Sequence, residues 1–289
     1  MEQIISIDVG GTSIKYGLWN ETEQLLSAKG KVATPKDLAG FYDAIQSIVA
    51  KFADEKVDGV GFSIPGAVDQ KTGVIGGISA LPYIHNFPIQ AELENILNLT
   101  VTMENDANCA ALAEVSVGAA SDMSDVIFII IGTGIGGAVV LNRQIIHGKH
   151  LLGGEFGMIL DDKNERLSLR GTVVHMAERY SADSSHKFTG QEVLELAEQG
   201  DPVAQRYTDD IYQNLARAIY NLQFVVDPEA VIIGGGVSAN NGFIQKLDDE
   251  IKNLVKDVDD IKIVPTLMAA EYHNDANLIG SAYNFFNKD

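Results

Sequence analysis

A chain of 289 residues is long enough for two domains of ordinary size, each with its own core. Its formal net charge of −19, from 21 basic and 40 acidic residues, argues against nucleic acid and anionic membrane surfaces as partners. A hydrophobic fraction of 46% describes a globular protein, and no apolar run nears the roughly 18 residues that a bilayer span requires. The single cysteine, Cys109, excludes an intrachain disulfide and fits a reducing cytoplasm; its apolar surroundings make it a buried small residue rather than a nucleophile. Met1-Glu2-Gln3 enters the first strand directly, so no signal peptide is expected.

In chain order, the apolar strand Ile4–Ile7 runs into Asp8, Val9 and the pair Gly10-Gly11, then returns as a second strand over Ile14–Leu18. Glycines there let backbone amides approach an anion without a side chain in the way. Asp8, at the strand end, is suited to holding Mg²⁺ through water. Thr34-Pro35-Lys36-Asp37 reads as a helix start with Thr34 as the cap, followed by apolar residues from Leu38 to Phe52 at three- and four-residue steps. Val57–Ile64 is a strand ending at Pro65-Gly66. The loop-rich span Val68–Pro88, a short helix at Ile89–Leu97 and a strand at Thr100–Met103 follow.

Glu104-Asn105-Asp106 closes that strand, and a helix of small residues, Ala107–Val117, begins directly after. Asp106 reads either as a helix cap or as a base. In the second role it would take the proton of a substrate hydroxyl while that oxygen attacks a γ-phosphorus. Asn105 both donates and accepts, which suits a sugar hydroxyl.

The second half opens with the strand Val126–Ile131, a glycine turn and a hairpin reaching Ile146. Displaced by 124 positions, Asp8–Leu18 overlays Gly132–Asn142 and Gly10 falls on Gly134. Two related turns suggest a duplicated domain gripping one polyphosphate from both sides. Gly132, Gly134 and Gly137 also satisfy the dinucleotide pattern, with Glu155 near the place of a ribose-binding acid. That pattern requires a helix after the glycines. Here strand, turn and strand follow, so the dinucleotide reading fails.

In Gly153-Gly154-Glu155-Phe156-Gly157, Glu155 is either simply exposed or an acceptor for a pair of neighbouring hydroxyls. His147 and His150 have no cysteine nearby and do not make a tetrahedral zinc site. His85, His175, His186 and His273 read as surface or packing residues. The polar span Asp161–Gly200 contains at least two helical patches, and a long helix carries Ile211, Leu215, Ile219, Leu222 and Val226 on one face. The strand Ala230–Ile233 feeds Gly234-Gly235-Gly236, which is a turn or a platform for a flat purine. A helix over Gly242–Val255, a strand over Ile261–Val264 and a helix over Ala276–Phe286 complete the chain. Strands alternating with helices behind duplicated openings argue for two α/β domains with mixed sheets.

Six motifs stand in an order that resembles the ROK family (repressor, open reading frame, kinase): Asp8–Lys15, Gly61–Asp69, Glu104–Ala110, Ile131–Gly137, Gly154–Gly157 and Ile233–Ser238. That family includes bacterial sugar kinases. The resemblance implies two actin-like ATPase (ribonuclease H-like) domains with mixed β-sheets and an interdomain cleft. The first would hold residues 1–117 with 276–289, the last helix crossing back to it, and the second residues 118–275. It further implies Asp106 as the catalytic base and Gly10, Gly11, Thr12, Lys15, Thr133 and Gly134 at the phosphates. Gly234, Gly235 and Gly236 would lie near the adenine, Gly66, Asn105, Asp106 and Glu155 at the sugar, and Asp8 near Mg²⁺. ATP and Mg²⁺ are the implied cofactors.

Two departures stand out. Met158 occupies a position where many members carry histidine, and Leu167–Glu178 lacks the family's zinc-binding cysteines, so zinc is not expected and Glu178 is assigned no role. Ser79–Tyr83, Gly154–Met158 and Ala276–Phe286 look most similar to the β-glucoside kinases of the family. The expected reaction is therefore phosphorylation of the 6-hydroxyl of a glucose unit in a β-glucoside such as cellobiose, with Met158 fitting a pocket widened for an aglycone or second sugar. Alternatives are a glucokinase, another hexose or N-acetylhexosamine kinase, or a non-catalytic sugar-binding regulator. A transcription factor of the family needs a DNA-binding module before the first turn, and only seven residues precede Asp8. The expected partners are a small sugar and Mg-ATP, with no nucleic acid and no membrane; a homodimer is the prior, and the cytoplasm the expected location.

Overall fold

In the computed structural model, which describes residues 2–184, 186–258 and 262–287, strand β1 (Gln3–Val9) lies at the centre of a five-stranded sheet. Its isoleucines are buried on both faces, as the middle strand of a covered sheet must be. β1 pairs antiparallel with β2 (Ser13–Asn20), which pairs antiparallel with β3 (Leu25–Ala33). After helix α1 (Leu38–Val49) the chain returns as β4 (Gly59–Ile64), parallel to β1. A small hairpin, β5 (Ala67–Asp69) with β6 (Val74–Gly76), and helix α2 (Ile89–Leu97) precede β7 (Thr100–Asn105), parallel to β4. Helix α3 (Asp106–Ser116) starts on the next residue. Phe41, Ile45 and Ile48 of α1 and Leu93 of α2 join the apolar core formed with the sheet.

The cap of α1 differs from expectation. Asp37, not Thr34, is the N-cap, and its carboxylate accepts from the Gly40 N–H at 2.8 Å. Thr34 is engaged elsewhere, as described below.

The second half builds the same sheet again. β8 (Val126–Ile131), β9 (Ile135–Leu141) and β10 (Gln144–Ile145) form the antiparallel part. The polar stretch yields three helices, α4 (Leu167–Arg170), α5 (Val173–Ala182) and α6 (Gly190–Glu198), and the long α7 (Pro202–Val226) follows. Asp201 caps α7 through the N–H groups of Val203 and Ala204, with Pro202 in the first turn, where no N–H is needed. Ile211, Leu215, Ile219 and Leu222 are buried and Val226 packs beside the same core. β11 (Ala230–Gly235), α8 (Asn241–Val258) and β12 (Leu267–Ala269) complete the sheet, and α9 (Ala276–Phe286) follows.

The two sheets run in the orders β3-β2-β1-β4-β7 and β10-β9-β8-β11-β12, with the same alternation of antiparallel and parallel pairs. The duplication thus reaches beyond the hairpins to whole sheets. The displacement of 124 does not match the strand ends, however. Val9 pairs with Ile14 and Ile131 with Ile135, so the second turn is one residue shorter and Gly132, not Gly134, follows its strand as Gly10 does. The final strand also lies later than expected. Residues 262–266 form no strand, Ile261 lies outside the described residues, and pairing with β11 begins at Leu267. Ile263 and Val264 are 43% and 40% exposed, and Pro265 has no N–H to give a ladder.

Two compact units result. One comprises Met1–Ser121, His147–Leu152 and Tyr272–Asp289; the other comprises Asp122–Ile146 and Gly153–Glu271. The segment His147–Leu152 therefore packs with the first unit although its flanks belong to the second. Among the described residues no helix is long and apolar enough to cross a membrane.

Within the first unit α9 lies against α3 and the β4 strand. A Cβ on Gly280 of α9 would stand 1.7 Å from the Cys109 carbonyl oxygen, so only glycine permits this crossing. Alanine normally gains up to about 1 kcal/mol over glycine in a helix. Here the sign reverses. We expect Gly280→Ala to lower stability by about 2–3 kcal/mol, as overpacking does, read from the urea midpoint.

Candidate active site

The parallel strands of the first unit end side by side: Asp8 pairs with Ser63, and Ile64 with Asn105. Side chains at adjacent carboxyl ends of such strands converge on the region where α/β sheets bind ligands. Asp8 is 7% exposed, and its Oδ1 accepts from Ser63 Oγ at 3.1 Å and Asn277 Nδ2 at 2.9 Å. Lys15, its register partner on β2, places Nζ 3.5 Å from Asp8 Oδ2 and donates to the Asn274 carbonyl at 3.3 Å. Lys15 is thus tied to the strand-end carboxylate.

The turn Gly10–Thr12 is held from behind. Thr34 Oγ1 donates to the Gly10 carbonyl at 2.6 Å and the Thr34 N–H to the Thr12 carbonyl at 3.1 Å. With both carbonyls engaged, the N–H groups of exposed Gly11 and Thr12 have no hydrogen-bond partner among the described residues. Successive unpartnered N–H groups form a concavity suited to an anion.

At the end of β7, Asn105 rather than Asp106 caps α3. Its Oδ1 accepts from the N–H groups of Ala107 at 2.9 Å and Asn108 at 3.2 Å, while Nδ2 donates to the Gly66 carbonyl at 3.0 Å. Asn105 is therefore largely committed, and its side chain also hydrogen-bonds the Asp106 carboxylate. Gly66 holds φ at +111°, where a Cβ would also meet Ile75 at 2.7 Å. Asp106 is released from capping. It is half-buried, and Oδ1 meets the Ala107 N–H at 2.9 Å. Burial pushes its carboxyl above the usual aspartate range, and the nearby Asp8 carboxylate pushes the same way.

Sequence reasoning missed what holds this junction. Glu104, 1% exposed, accepts from the Asn105 N–H at 2.7 Å, Asn108 Nδ2 at 2.8 Å, Gln70 Nε2 at 2.5 Å and His147 Nε2 at 2.7 Å. The hydrogen bond to Glu104 raises the pKa of His147 against the opposing effect of burial. Nothing local signals Gln70 or His147. Cys109 is buried with its thiol pushed well up by burial, so it is no nucleophile.

The second unit assembles the other named residues. Gly132 N–H donates to the Gly134 carbonyl at 2.9 Å, and the N–H groups of exposed Thr133 and Gly134 have no partner among the described residues. Ile131 pairs with Gly235, so this turn and the glycine run sit at adjacent strand ends. Gly234 is a buried strand residue facing the Phe128 ring; Gly235 and Gly236 alone are exposed. Glu155 is exposed between two buried neighbours, Gly154 and Phe156, which both press on Gly137 of β9. Met158, three residues on, is 55% exposed.

The donor chemistry for zinc does not fit. Leu167–Glu178 offers no thiolate, and His175 Nδ1 is paired with Glu178 Oε2 at 2.7 Å. No group of three or more His, Cys, Asp or Glu among the described residues is placed to hold a metal ion. A water-mediated Mg²⁺ requires less, and Asp8 with its like-charged neighbour Asp106 suits such an ion.

The family model for the ROK family matches residues 4–287. A β-glucoside kinase of Klebsiella pneumoniae is 32% identical, the alignment covering 98% of this chain and 96% of that protein. The crystal structure of a ROK family protein from Streptococcus pneumoniae TIGR4 in complex with sucrose superposes with a TM-score of 0.89 at 32% identity, covering 99% and 98% of the two chains. A ROK family glucokinase from Streptomyces griseus in complex with glucose and AMPPNP gives 0.74 at 28% identity, covering 97% and 98%.

The Glu104–His147 pair has a pH signature. A histidine whose folded pKa is raised stabilises fully below its unfolded value near 6.5 and loses that contribution as pH rises through the folded value. We expect His147→Ala to cost about 1–2 kcal/mol at pH 6, as for a hydrogen bond to a charged group. The cost shrinks toward pH 9. Urea midpoints across that range check it, and a cost independent of pH would contradict the charged pair.

Proposed function

The chain belongs to the ROK family, and on that premise we propose that it transfers the γ-phosphoryl group of ATP to the 6-hydroxyl of a glucose unit in a β-glucoside such as cellobiose. The observation that carries this reading is Asp106: a half-buried carboxylate at the head of α3, relieved of capping by Asn105 and raised toward working pH. A base of that kind is better matched to a sugar hydroxyl than an ordinary exposed aspartate.

In the proposed step Asp106 takes the proton from O6 as that oxygen bonds to the γ-phosphorus. The bond from phosphorus to the β,γ-bridging oxygen breaks, and its electron pair leaves with ADP. The N–H groups of Gly11, Thr12, Thr133 and Gly134 are the candidate phosphate donors. Lys15 acts through Asp8, and Gly235 and Gly236 offer an open face to a purine. Magnesium, when bound, would neutralise phosphate charge, with Asp8 as its water-mediated holder. Asn105 and Glu155 are the proposed sugar ligands, and Gly66 contributes by fixing Asn105.

Substrate choice rests on the similarity to β-glucoside kinases and on exposed apolar Met158 beside Glu155. A glucokinase is the second reading, favoured by the neighbour that holds glucose and AMPPNP. A cytoplasmic setting fits the single buried thiol.

Release of ADP from Mg-ATP over a panel of glucose, cellobiose, gentiobiose and aryl β-glucosides separates these readings. We expect higher kcat/KM for the β-glucosides, with phosphate on O6 in the product. Activity on free glucose alone overturns the β-glucoside assignment. Asp106→Asn is expected to lower kcat by about 10² to 10⁴. In the parent enzyme the acid limb of kcat/KM should lie above the ordinary aspartate value of about 3.9, because the protonated form of the base is inactive.

A further inference from the structure

The densest ion-pair cluster of the second unit centres on Arg170, at the end of α4, whose side chain is 13% exposed. Its Nη1 lies 3.1 Å from Glu165 Oε2, its Nε 3.6 Å from Asp161 Oδ2, and its Nη2 bonds Asp210 Oδ1 on α7. Arg179 of α5 reaches the other oxygen of Asp210 at 3.3 Å and donates to the Leu169 carbonyl. Asp161 is itself nearly buried, and its Oδ1 accepts from the N–H groups of Lys163 and Glu165, both at 2.8 Å.

Asp161 and Glu165 are the two sides of a hairpin tip. The Asp161 N–H donates to the Glu165 carbonyl at 2.9 Å, Leu160 bridges Arg166, and the Leu167 N–H donates to the Ile159 carbonyl at 2.7 Å. Arg170 therefore fastens the tip of this hairpin to α7. The hairpin begins one residue after Met158, and its return strand leads straight into α4.

Within α4, Ser168 joins two segments assigned to ligand binding. Its Oγ accepts from the Ile135 N–H at 2.9 Å, on the residue that follows the turn Gly132–Gly134. A Cβ on Gly157 would lie 2.2 Å from that same Oγ and 2.1 Å from the Ile135 carbonyl, so the backbone beyond Glu155 is pressed onto both. Displacing α4 by a fraction of an ångström would disturb the turn and the Glu155 loop together.

We propose that Arg170 is a positioning residue: by pairing with Asp161, Glu165 and Asp210 it locks α4, and through Ser168 it fixes both the Glu155 loop and the turn Gly132–Gly134. An ion-pair hub thereby occupies the stretch in which the family resemblance leads one to expect a metal cluster. The ligand roles of Glu155 and the turn rest on the function proposed above; the locking does not.

The test reads hydrogen exchange on the full chain without ligand, alongside kinetics. In Arg170→Met, the hydrogen-bonded amides of Gly132, Ile135, Phe156 and Met158 should exchange at least about tenfold faster, with those of β8 at 127–130 unchanged. Ser168→Ala should speed exchange at 135 and 158 but not at 161–166. Arg170→Lys, which keeps the charge and loses the fork, should fall between Arg170→Met and the parent. Arg217→Met, which removes an exposed pair with Asp162, should match the parent. With the best sugar of the panel, Arg170→Met should raise the sugar KM by about tenfold or more, with Arg170→Lys recovering part of the loss.

Unchanged exchange at both segments in a folded Arg170→Met overturns the proposal, whatever the activity. Should that variant fail to fold, Ser168→Ala decides: parent-like exchange at 135 and 158 overturns the coupling. A parent enzyme inactive on every sugar, with exchange responding as described, would instead sink the kinase reading and leave the locking role standing.

Discussion

A carboxylate with 1% exposure needs donors in place of the water it has lost, and Glu104 has them. Four donors converge on its two oxygens: the amide of Asn105, the side chains of Gln70 and Asn108, and the imidazole of His147. Because Glu104 stands at the junction of β7 and α3, those bonds fix the direction in which the backbone leaves the sheet. Asn105 then caps the helix and Asp106, the next residue, is left with one carboxylate oxygen uncommitted to the backbone. The placement of the Asp106 carboxylate, the proposed base, therefore depends on a second carboxylate behind it.

Much of this architecture could be read from the chain. Apolar strands followed by glycines announced both sheets, and the regular recurrence of apolar residues announced α1 and α7, because burial of one face is a local pattern. Errors fell where local pattern and tertiary shelter disagree. Ile263 and Val264 are as apolar as any strand, yet they lie partly exposed before Pro265, and the edge strand forms three residues later. Thr34 has the chemistry of a helix cap, but its hydroxyl and amide serve the glycine turn 22 to 24 residues earlier. The displacement of 124 matched glycine to glycine, whereas hydrogen-bond register is set by strand ends.

The residues of the candidate site were legible in the sequence; their supports were not. Asp8, Asp106, Glu155 and the glycine turns carry local signals, since each interrupts a strand or precedes a helix. Gln70 and His147 reach Glu104 from 34 and 43 residues away, and Asp210 reaches Arg170 from 40. A contact of that span leaves no periodicity or spacing to find. Gly234 shows the reverse case, a conspicuous glycine that is buried strand and faces the Phe128 ring.

The two glycine turns show how duplication and divergence divide the labour. Each follows the central strand of the same five-stranded arrangement, and each has two exposed residues whose N–H groups lack a partner among the described residues. Their braces are unrelated in position. In the first unit Thr34, just past β3, donates a hydroxyl hydrogen to the Gly10 carbonyl; in the second, Ser168 on α4 accepts from the Ile135 amide. A turn that must present bare amides cannot use them for its own rigidity, so a hydroxyl from elsewhere has to supply it. The two sheets share one strand order, but each turn has its own brace, and in the second half it is only as firm as the arginine that anchors its short helix.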